Sequence, residues 1–236
     1  MNSRVLVCIP TYCESENISR LVEEIFSLEI PGLEILIADD ASPDNTATIA
    51  ENLRDRYPLL TVLQRKPPSG RGAAGRDLFL YALEKNFHAA IEMDADFSHD
   101  PKSIPQLLKA LGNSELVIGS RFVQGGSDSQ RPKGRQILTR WANFYARSLL
   151  RINVQDTNSG YRAWSRKALQ AIEPQTLRAQ GPAIVHEALY RAARKKIRIQ
   201  EIPIRFVDRK LGFSKLNLGK LAYGYFWILR LAVLGK

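Results

Sequence analysis

The stretch Glu92-Met-Asp-Ala-Asp-Phe-Ser-His-Asp100 places two carboxylates, Asp94 and Asp96, one residue apart just after the apolar run His88-Ala-Ala-Ile91. Alternate residues of an extended strand point to opposite faces, so the pair can serve one ion only where the strand is leaving its sheet. Carboxylates and water suit hard cations such as Mg2+ or Mn2+, which are commonly held by one or two carboxylates together with substrate phosphates. The chemistry open to such a pair is neutralisation of charge on a diphosphate leaving group. Two earlier apolar runs end in a similar way, the first in Pro10-Thr-Tyr-Cys-Glu14 and the second in Asp39-Asp-Ala-Ser42. Each alone reads as a polar strand end. Three together on one edge read as a ligand site, because ligands of parallel sheets bind beyond the carboxyl ends of the strands.

A competing motif lies between them. Gly70-Arg-Gly-Ala-Ala-Gly75 is a literal G-x-G-x-x-G, and Asp94 and Asp96 fall near the spacing of a ribose-binding acid. A dinucleotide fingerprint, however, needs its glycines in the tight turn directly after a strand. Here Arg65-Lys-Pro-Pro-Ser69 intervenes, and two prolines neither continue a ladder nor make that turn. The dinucleotide reading is set aside.

The elements that must position these groups follow from periodicity. Strands are predicted over residues 4–9, 33–38, 60–63, 89–93 and 116–118, alternating with helices over 16–28, 44–57, 73–86 and 101–111. The first helix carries Ile18, Leu21, Val22, Ile25 and Phe26 at helical spacing, and Asp100-Pro101 offers the last one an N-cap and a first-turn proline. Such alternation predicts an α/β fold with a mainly parallel, doubly wound, Rossmann-like sheet flanked by helices. The second half is less regular. It reads as a Gly/Ser/Gln-rich loop over 124–133, a helix over 135–151, a strand over 159–164, a helix over 182–195, a strand over 197–206 and a basic loop over 208–215. The tail, 216–236, is apolar but broken by Lys220 and Arg230. Its longest uncharged run falls well short of the ~20 apolar residues that span a bilayer, leaving an interfacial amphipathic helix or a docked core helix.

The whole chain sets bounds on partners. With 236 residues, 44% hydrophobic and 25% charged, it has the composition of a folded α/β domain, alone or with an appendage. Its net charge of +10 conceals an asymmetry: residues 1–130 hold 12 Lys/Arg against 19 Asp/Glu, and residues 131–236 hold 22 against 5. An acidic, cation-using half is thus joined to a basic half suited to phosphates, nucleic acid or a membrane surface. The opening MNSRVLVCIPTY lacks the regions of a signal peptide and reads as a first strand. Cys8 and Cys13 make neither a disulfide framework nor a metal spacing, which fits a reducing cytosol.

Seven stretches, IPTYCESENI, ADDASPDNT, GRGAAG, MDADFSHDP, GSRFVQGG, DTNSGYRAW and GFSKL, run in order between residues 9 and 216. In them the chain resembles the inverting family 2 glycosyltransferases, specifically the dolichol-phosphate mannosyltransferase branch and its polyprenyl-phosphate relatives. The resemblance implies a GT-A-like fold over residues 1–215 and a basic C-terminal membrane-contact helix over 216–236. It implies transfer, with inversion, of a mannosyl or related hexosyl group from a nucleotide diphosphate sugar to dolichyl or polyprenyl phosphate. GDP-mannose is the favoured donor, with Mg2+ or Mn2+ as cofactor. Residue by residue, Pro10, Tyr12 and Glu14 would line the base and ribose pocket, and Asp40 would accept hydrogen bonds from the base. Asp94 and Asp96 would form the metal end, Asp96 coordinating the ion and Asp94 turned toward the donor's ribose or diphosphate. Ser98 stands where some relatives place a Gln ligand. Arg121 and Arg135 match arginines that hold the acceptor phosphate, a task suited to the guanidinium fork. Ser159, Gly160, Tyr161 and Arg162 would lie beside the sugar, and Arg209, Ser214 and Lys215 would close over the diphosphate and acceptor. Cys13 replaces a usual Asn, and GRGAAGR is richer in arginine than its counterparts.

Plainer roles stand beside these. Trp164 reads as core, Arg121 could be a surface arginine, and His99 and His186 read as structural, with proton transfer by His99 as the alternative. A phosphate monoester has a second pKa near ~6 and is already largely anionic at neutral pH. Its attack therefore needs positioning and charge screening more than a base. Without a spanning helix, the expected location is peripheral, on the cytoplasmic face of a membrane, with Tyr223, Tyr225 and Trp227 contributing contact. Two rival readings are a same-fold transferase with a soluble or protein acceptor and a non-catalytic nucleic-acid-binding protein. The acidic strand ends oppose the second, because they repel a phosphate backbone.

Overall fold

The computed structural model describes residues 4–65, 70–207 and 218–235. Its first half repeats a strand–helix unit: β1 (Val5–Thr11), α1 (Ile18–Phe26), β2 (Leu33–Asp39), α2 (Thr46–Asn52), β3 (Leu60–Gln64), α3 (Gly70–Glu84), β4 (Ala89–Glu92), α4 (Ile104–Leu111) and β5 (Leu116–Ser120). The second half adds α5 (Lys133–Leu150), β6 (Arg162–Ser165), α6 (Arg166–Ile172), α7 (Ile184–Arg194), β7 (Ile199–Pro203) and α8 (Leu218–Leu234). The seven strands lie in the order β3-β2-β1-β4-β6-β5-β7. Every pairing is parallel except those of β6, which runs antiparallel to β4 and β5.

Side-chain alternation along the strands builds two cores, one on each face of the sheet. On β1, Leu6 and Cys8 point to one face, packing with Phe79, Trp164 and Leu189. Val7 and Ile9 point to the other, with Ile18, Leu21, Ile91 and Tyr161. Because both faces are covered, the parallel strands read as continuous apolar runs, which is why they were legible. The α1 stripe buries Ile18, Leu21, Val22 and Ile25. Trp164 is fully buried, with the Phe79 ring edge-on at 5.6 Å.

Several elements differ from their expected extent. The 44–57 helix becomes α2 followed by a 3-10 turn, Leu53–Asp55. The 101–111 helix opens as the 3-10 turn Pro101–Ser103, capped by the Asp100 side chain accepting the Lys102 N–H. Helix α6 was not anticipated. Its seven residues, RKALQAI, look basic, yet Ser165 caps them by accepting the Ala168 N–H, and Ala168, Leu169 and Ile172 are buried. The glycine motif lies in the first two turns of α3. A Cβ at Gly72 would sit 2.4 Å from the Ala179 carbonyl oxygen, so this glycine permits close backbone approach and makes no phosphate-binding turn after a strand.

Helices α5 and α8 pack side by side. The Tyr145 ring meets that of Tyr225 edge-on at 5.2 Å, and the Tyr145 hydroxyl donates to the Tyr225 carbonyl. The inner face of α8 buries Trp227, Ile228 and Leu231. Their outer faces leave Ile137, Leu138, Trp141 and Phe144 on α5, and Phe226, Leu229 and Val233 on α8, exposed. Among the described residues, no helix is long and apolar enough to cross a membrane.

Candidate functional site

The carboxyl ends of β1, β2 and β4 converge on one edge of the sheet. Between β1 and β2 the polar groups tie two loops together. Asp39, buried at the end of β2, accepts the Thr11 hydroxyl at 3.1 Å, the Ser42 hydroxyl at 2.5 Å and the Ser42 N–H at 2.9 Å. Ser42 in turn accepts the Cys13 N–H, and Thr46 accepts the Glu14 N–H. This lacing shapes the loop that carries Tyr12, which is 45% exposed, and Glu14, whose carboxylate accepts from the Asn17 amide. Asp40 faces away from that network. Its oxygens accept from Arg65 Nη1 at 2.9 Å and from the Gly70 N–H at 2.7 Å, and Arg65 bridges on to Asp77.

At the end of β4 the chain leaves the sheet through Asp94, Ala95 and Asp96. The Asp94 backbone N–H donates to Nδ1 of His99 at 3.0 Å, which fixes the imidazole proton on Nε2. Burial first, partly countered by Asp94 and Asp96, lowers the His99 pKa, so the ring is neutral at pH 7. Tyr161 stacks on it at 4.9 Å and anchors its own hydroxyl on the Asp100 carbonyl. His99 thus holds the bend that presents the D-x-D. Asp96 is 7% exposed and its Oδ1 accepts the Ser98 N–H at 3.1 Å, while the Asp94 side chain is 37% exposed. Because β6 is antiparallel, its start lies on this edge. Glu92 pairs across the ladder with Arg162, placing Ser159 and Gly160 beside the D-x-D.

Arginines surround this acidic edge. From the first turn of α3, Arg71 donates Nη2 to Asp94 at 2.8 Å and Nη1 to the buried Glu92 at 3.2 Å. Burial works against its charge, but Asp94 and Glu92 outweigh burial and raise its pKa. Arg162 is fully buried, donates to the Val185 and Thr157 carbonyls, and is lowered to about 10, with burial as the first cause. After β5, Arg121 makes a bidentate pair with fully buried Asp156: Nε and Nη2 each donate at 2.7 Å and the Arg121 N–H donates at 3.0 Å. The loop holding Asp156 is fastened to β7 through Glu201 and to α5 through Asn143, which accepts from the Thr157 N–H and hydroxyl.

The sheet edge therefore gathers Pro10, Tyr12, Glu14, Asp40, Asp94, Asp96, Arg121, Ser159 and Gly160 on neighbouring strand ends and loops. Arg135 lies apart from the strands, exposed in the first turn of α5. Arg209, Ser214 and Lys215 lie outside the described residues. Arg71 and Asp156 were given no role by the sequence reading, and Asp39 was read only as part of an acidic strand end. Asp156 had two signals: it opens the stretch DTNSGYRAW, and it is among only 5 acids facing 22 Lys/Arg after residue 130. Arg131, also missed, shares with Arg121 the faces of Phe206, each guanidinium 5.1 Å from the ring centre, and donates to Thr139 on α5. Phe206 in turn meets the His99 ring at 6.1 Å.

The donor set fits a hard divalent cation. Among the described residues no group of three or more His, Cys, Asp or Glu could hold an ion. An ion at Asp96 and Asp94 would take its remaining ligands from phosphate oxygens and water, the habit of Mg2+ and Mn2+.

A sequence model of the glycosyl transferase family 2 matches residues 6–173. Undecaprenyl-phosphate mannosyltransferase of Micrococcus luteus is 38% identical over 92% of this chain and 88% of its own. Polyprenol monophosphomannose synthase of Mycolicibacterium smegmatis is 34% identical over 99% and 88%. Among solved structures, glucosyl-3-phosphoglycerate synthase from Mycobacterium tuberculosis, with Mn2+, UDP and glucosyl-3-phosphoglycerate, superposes with a TM-score of 0.67 over 99% of this chain and 79% of that one. At 18% identity this last likeness concerns the fold: a seven-stranded, mostly parallel sheet of the GT-A kind.

Proposed function

The chain belongs to glycosyl transferase family 2, and on that premise we propose that it moves a mannosyl group from a nucleotide diphosphate sugar, with GDP-mannose favoured, to a polyprenyl or dolichyl phosphate at a membrane surface. One observation carries the acceptor half of this reading. An unbroken run of contacts leads from the D-x-D to an exposed apolar helix: Asp94 to His99, His99 to Phe206, Phe206 to Arg121 and Arg131, and Arg131 to Thr139 on α5. A phosphate on an apolar chain suits that layout, with its head among arginines and its tail along Leu138, Trp141 and Phe144.

The acceptor oxygen attacks the anomeric carbon in line. The bond to the diphosphate oxygen breaks, its electron pair leaves with the diphosphate, and the configuration inverts. A divalent ion at Asp96 supplies screening of the charge that grows on that leaving group. The chain's own residues orient and shield. Asp39 braces the loop of Pro10, Tyr12 and Glu14 that would line the nucleotide, and Asp40 lies next to it, paired to Arg65. Buried, neutral His99 holds the Asp94 bend. No base is required, because the phosphate arrives anionic. Arg121, whose Nε and Nη2 are on Asp156, would offer a phosphate its remaining edge, with Arg131 and Arg135 at the start of α5 supplying further charge. The exposed apolar outer faces of α5 and α8 support peripheral residence on a membrane, which in this reading is its cytoplasmic face.

The test is incubation with polyprenyl phosphate, Mg2+ or Mn2+, and a panel of labelled nucleotide sugars, followed by lipid extraction. Label is expected in the lipid phase with GDP-mannose as the best donor, and Asp96→Ala should abolish it while leaving thermal unfolding in place. Donor hydrolysis with transfer only to soluble or protein acceptors would overturn the lipid assignment.

A further inference from the structure

We propose that a basic groove at the far end of α5 binds the phosphate head group of an anionic phospholipid. This rests on the reading that the outer faces of α5 and α8 meet a membrane. The groove, about 520 Å³, lies where α5, α7 and α8 all end, and Arg151, Arg194, Lys196, Tyr190, Leu149 and Ala232 line it. At 1.5 Å per residue along α5, Arg151 stands ~25 Å from Arg135 at the start of that helix. The groove is therefore no extension of the acceptor site.

Several observations point to an anion there. Among the described residues, none of the three cations has a carboxylate partner or donates to a carbonyl. Arg191, on the same helix as Arg194, does both, through Glu187 and the Thr176 carbonyl. Tyr190 is 8% exposed, yet its hydroxyl has no hydrogen-bond partner among the described residues. A buried ring that ends in an unmet donor suits a phosphate oxygen. Arg151 and Lys196 also hold left-handed backbone, with φ 52° and 55°, where glycine commonly ends a helix. Long cationic side chains kept in that conformation are better explained by what they meet than by the turns they make. The walls favour a lipid over free phosphate. Leu149 and Ala232 are apolar, and Val233 and Leu234 follow on α8, 73% and 60% exposed. Glycerol and the first acyl carbons would thus continue onto the apolar outer face. The volume is large against the ~30 Å³ share of one water, so phosphate and glycerol fit together.

A plainer role, cations answering the carbonyl ends of three helices, predicts lost stability on their removal and no effect on lipid. The test is calorimetric titration of the protein with dihexanoyl phosphatidylglycerol below its micelle-forming concentration. Saturable binding is expected, with dihexanoyl phosphatidylcholine and inorganic phosphate each at least tenfold weaker. Tyr190→Phe keeps the charge and the packing, so diffuse attraction would not register it, and it should weaken binding about tenfold. Arg151→Gly with Lys196→Gly should do so too, while unfolding at an unchanged or higher temperature. Both variants should sediment less with vesicles of phosphatidylcholine and phosphatidylglycerol, and equally with phosphatidylcholine alone. No saturable binding, or binding equal in wild type and both variants, overturns the proposal, and equal affinity for inorganic phosphate overturns the lipid source. Undiminished sedimentation of the variants on anionic vesicles keeps the membrane reading and overturns the groove. Saturable head-group binding without sedimentation of wild type on either vesicle leaves the groove assigned and overturns the membrane reading.

Discussion

Asp39 and Asp40 are adjacent carboxylates with different work. Asp39, 1% exposed, commits both oxygens to Thr11 and Ser42, whereas Asp40 faces Arg65 and the Gly70 N–H. The pair was legible as an acidic strand end, but two neighbours on a strand point oppositely, and only the fold shows which one is structural. Arg121 is similar. Its place near the site was readable from GSRF, but its bidentate hold on Asp156, 35 residues away, has no local signature. His186 was read as structural, and its surroundings give that role a pH dependence. Its Nε2 donates to Asn158 at 2.9 Å, and burial first, then Arg162, pushes its pKa down to about 4 from an ordinary 6.5. Because the folded value is depressed for a base, the unfolded chain takes the proton first. The stabilisation is complete above pH 6.5 and is lost as pH falls from there toward 4, by up to ~1.4 kcal/mol per pH unit. In His186→Gln an amide N–H replaces the imidazole donor. Urea unfolding between about pH 7.5 and 4.5 should show the wild-type advantage over this variant shrinking as pH falls. A constant difference would contradict it.

At the scale of elements, the apolar strands and the α1 stripe announced themselves because burial on both faces leaves little freedom of composition. Two features were hidden. Helix α6 is too short for periodicity to rise above its Arg and Lys, and the antiparallel sense of β6 is set by its partners rather than by its own four residues. The glycines of GRGAAG were visible, but their purpose needed the packing of α3. Gly72→Ala gains up to ~1 kcal/mol of helix propensity. Its new Cβ, however, would meet a backbone oxygen at 2.4 Å, and overpacking of this kind costs ~1–3 kcal/mol. A net loss of stability is expected on thermal unfolding. Gly75→Ala is the control: its Cβ would meet no backbone, its nearest neighbours being Ile184 side-chain carbons at 3.4 and 3.8 Å and a Glu92 carboxylate oxygen at 4.0 Å, all ordinary contacts, so it should be neutral or stabilising. Equal behaviour of the two would remove the close-approach argument.

The whole molecule joins an acidic edge to a basic, apolar flank, a division already present in the charge count of the two halves. The sequence placed the membrane contact in the cationic half and the 216–236 segment without singling out Ile137, Leu138, Trp141 and Phe144, which look like an ordinary core stripe until the fold leaves them outside. Full burial of one large apolar side chain is worth ~1.5–3 kcal/mol. The double variant Phe226→Glu with Val233→Glu, two α8 positions that are 61% and 73% exposed, should therefore lose about tenfold or more in partition to anionic vesicles. Turnover of a short, water-soluble polyprenyl phosphate should persist. Undiminished sedimentation with vesicles would place the contact elsewhere. The insertion of β6 also bears on how the chain is made. The inner edge of β4 waits for a partner seventy residues downstream, where Glu92 finally meets Arg162. Until residue 165 has emerged from the ribosome, a growing chain has β1, β2 and β4 but an open ladder beside the two carboxylates, an adhesive edge for other chains. Synthesis order thus makes the candidate site one of the last features to form, and a chain interrupted before that point carries the acidic strand ends without Ser159 and Gly160 beside them.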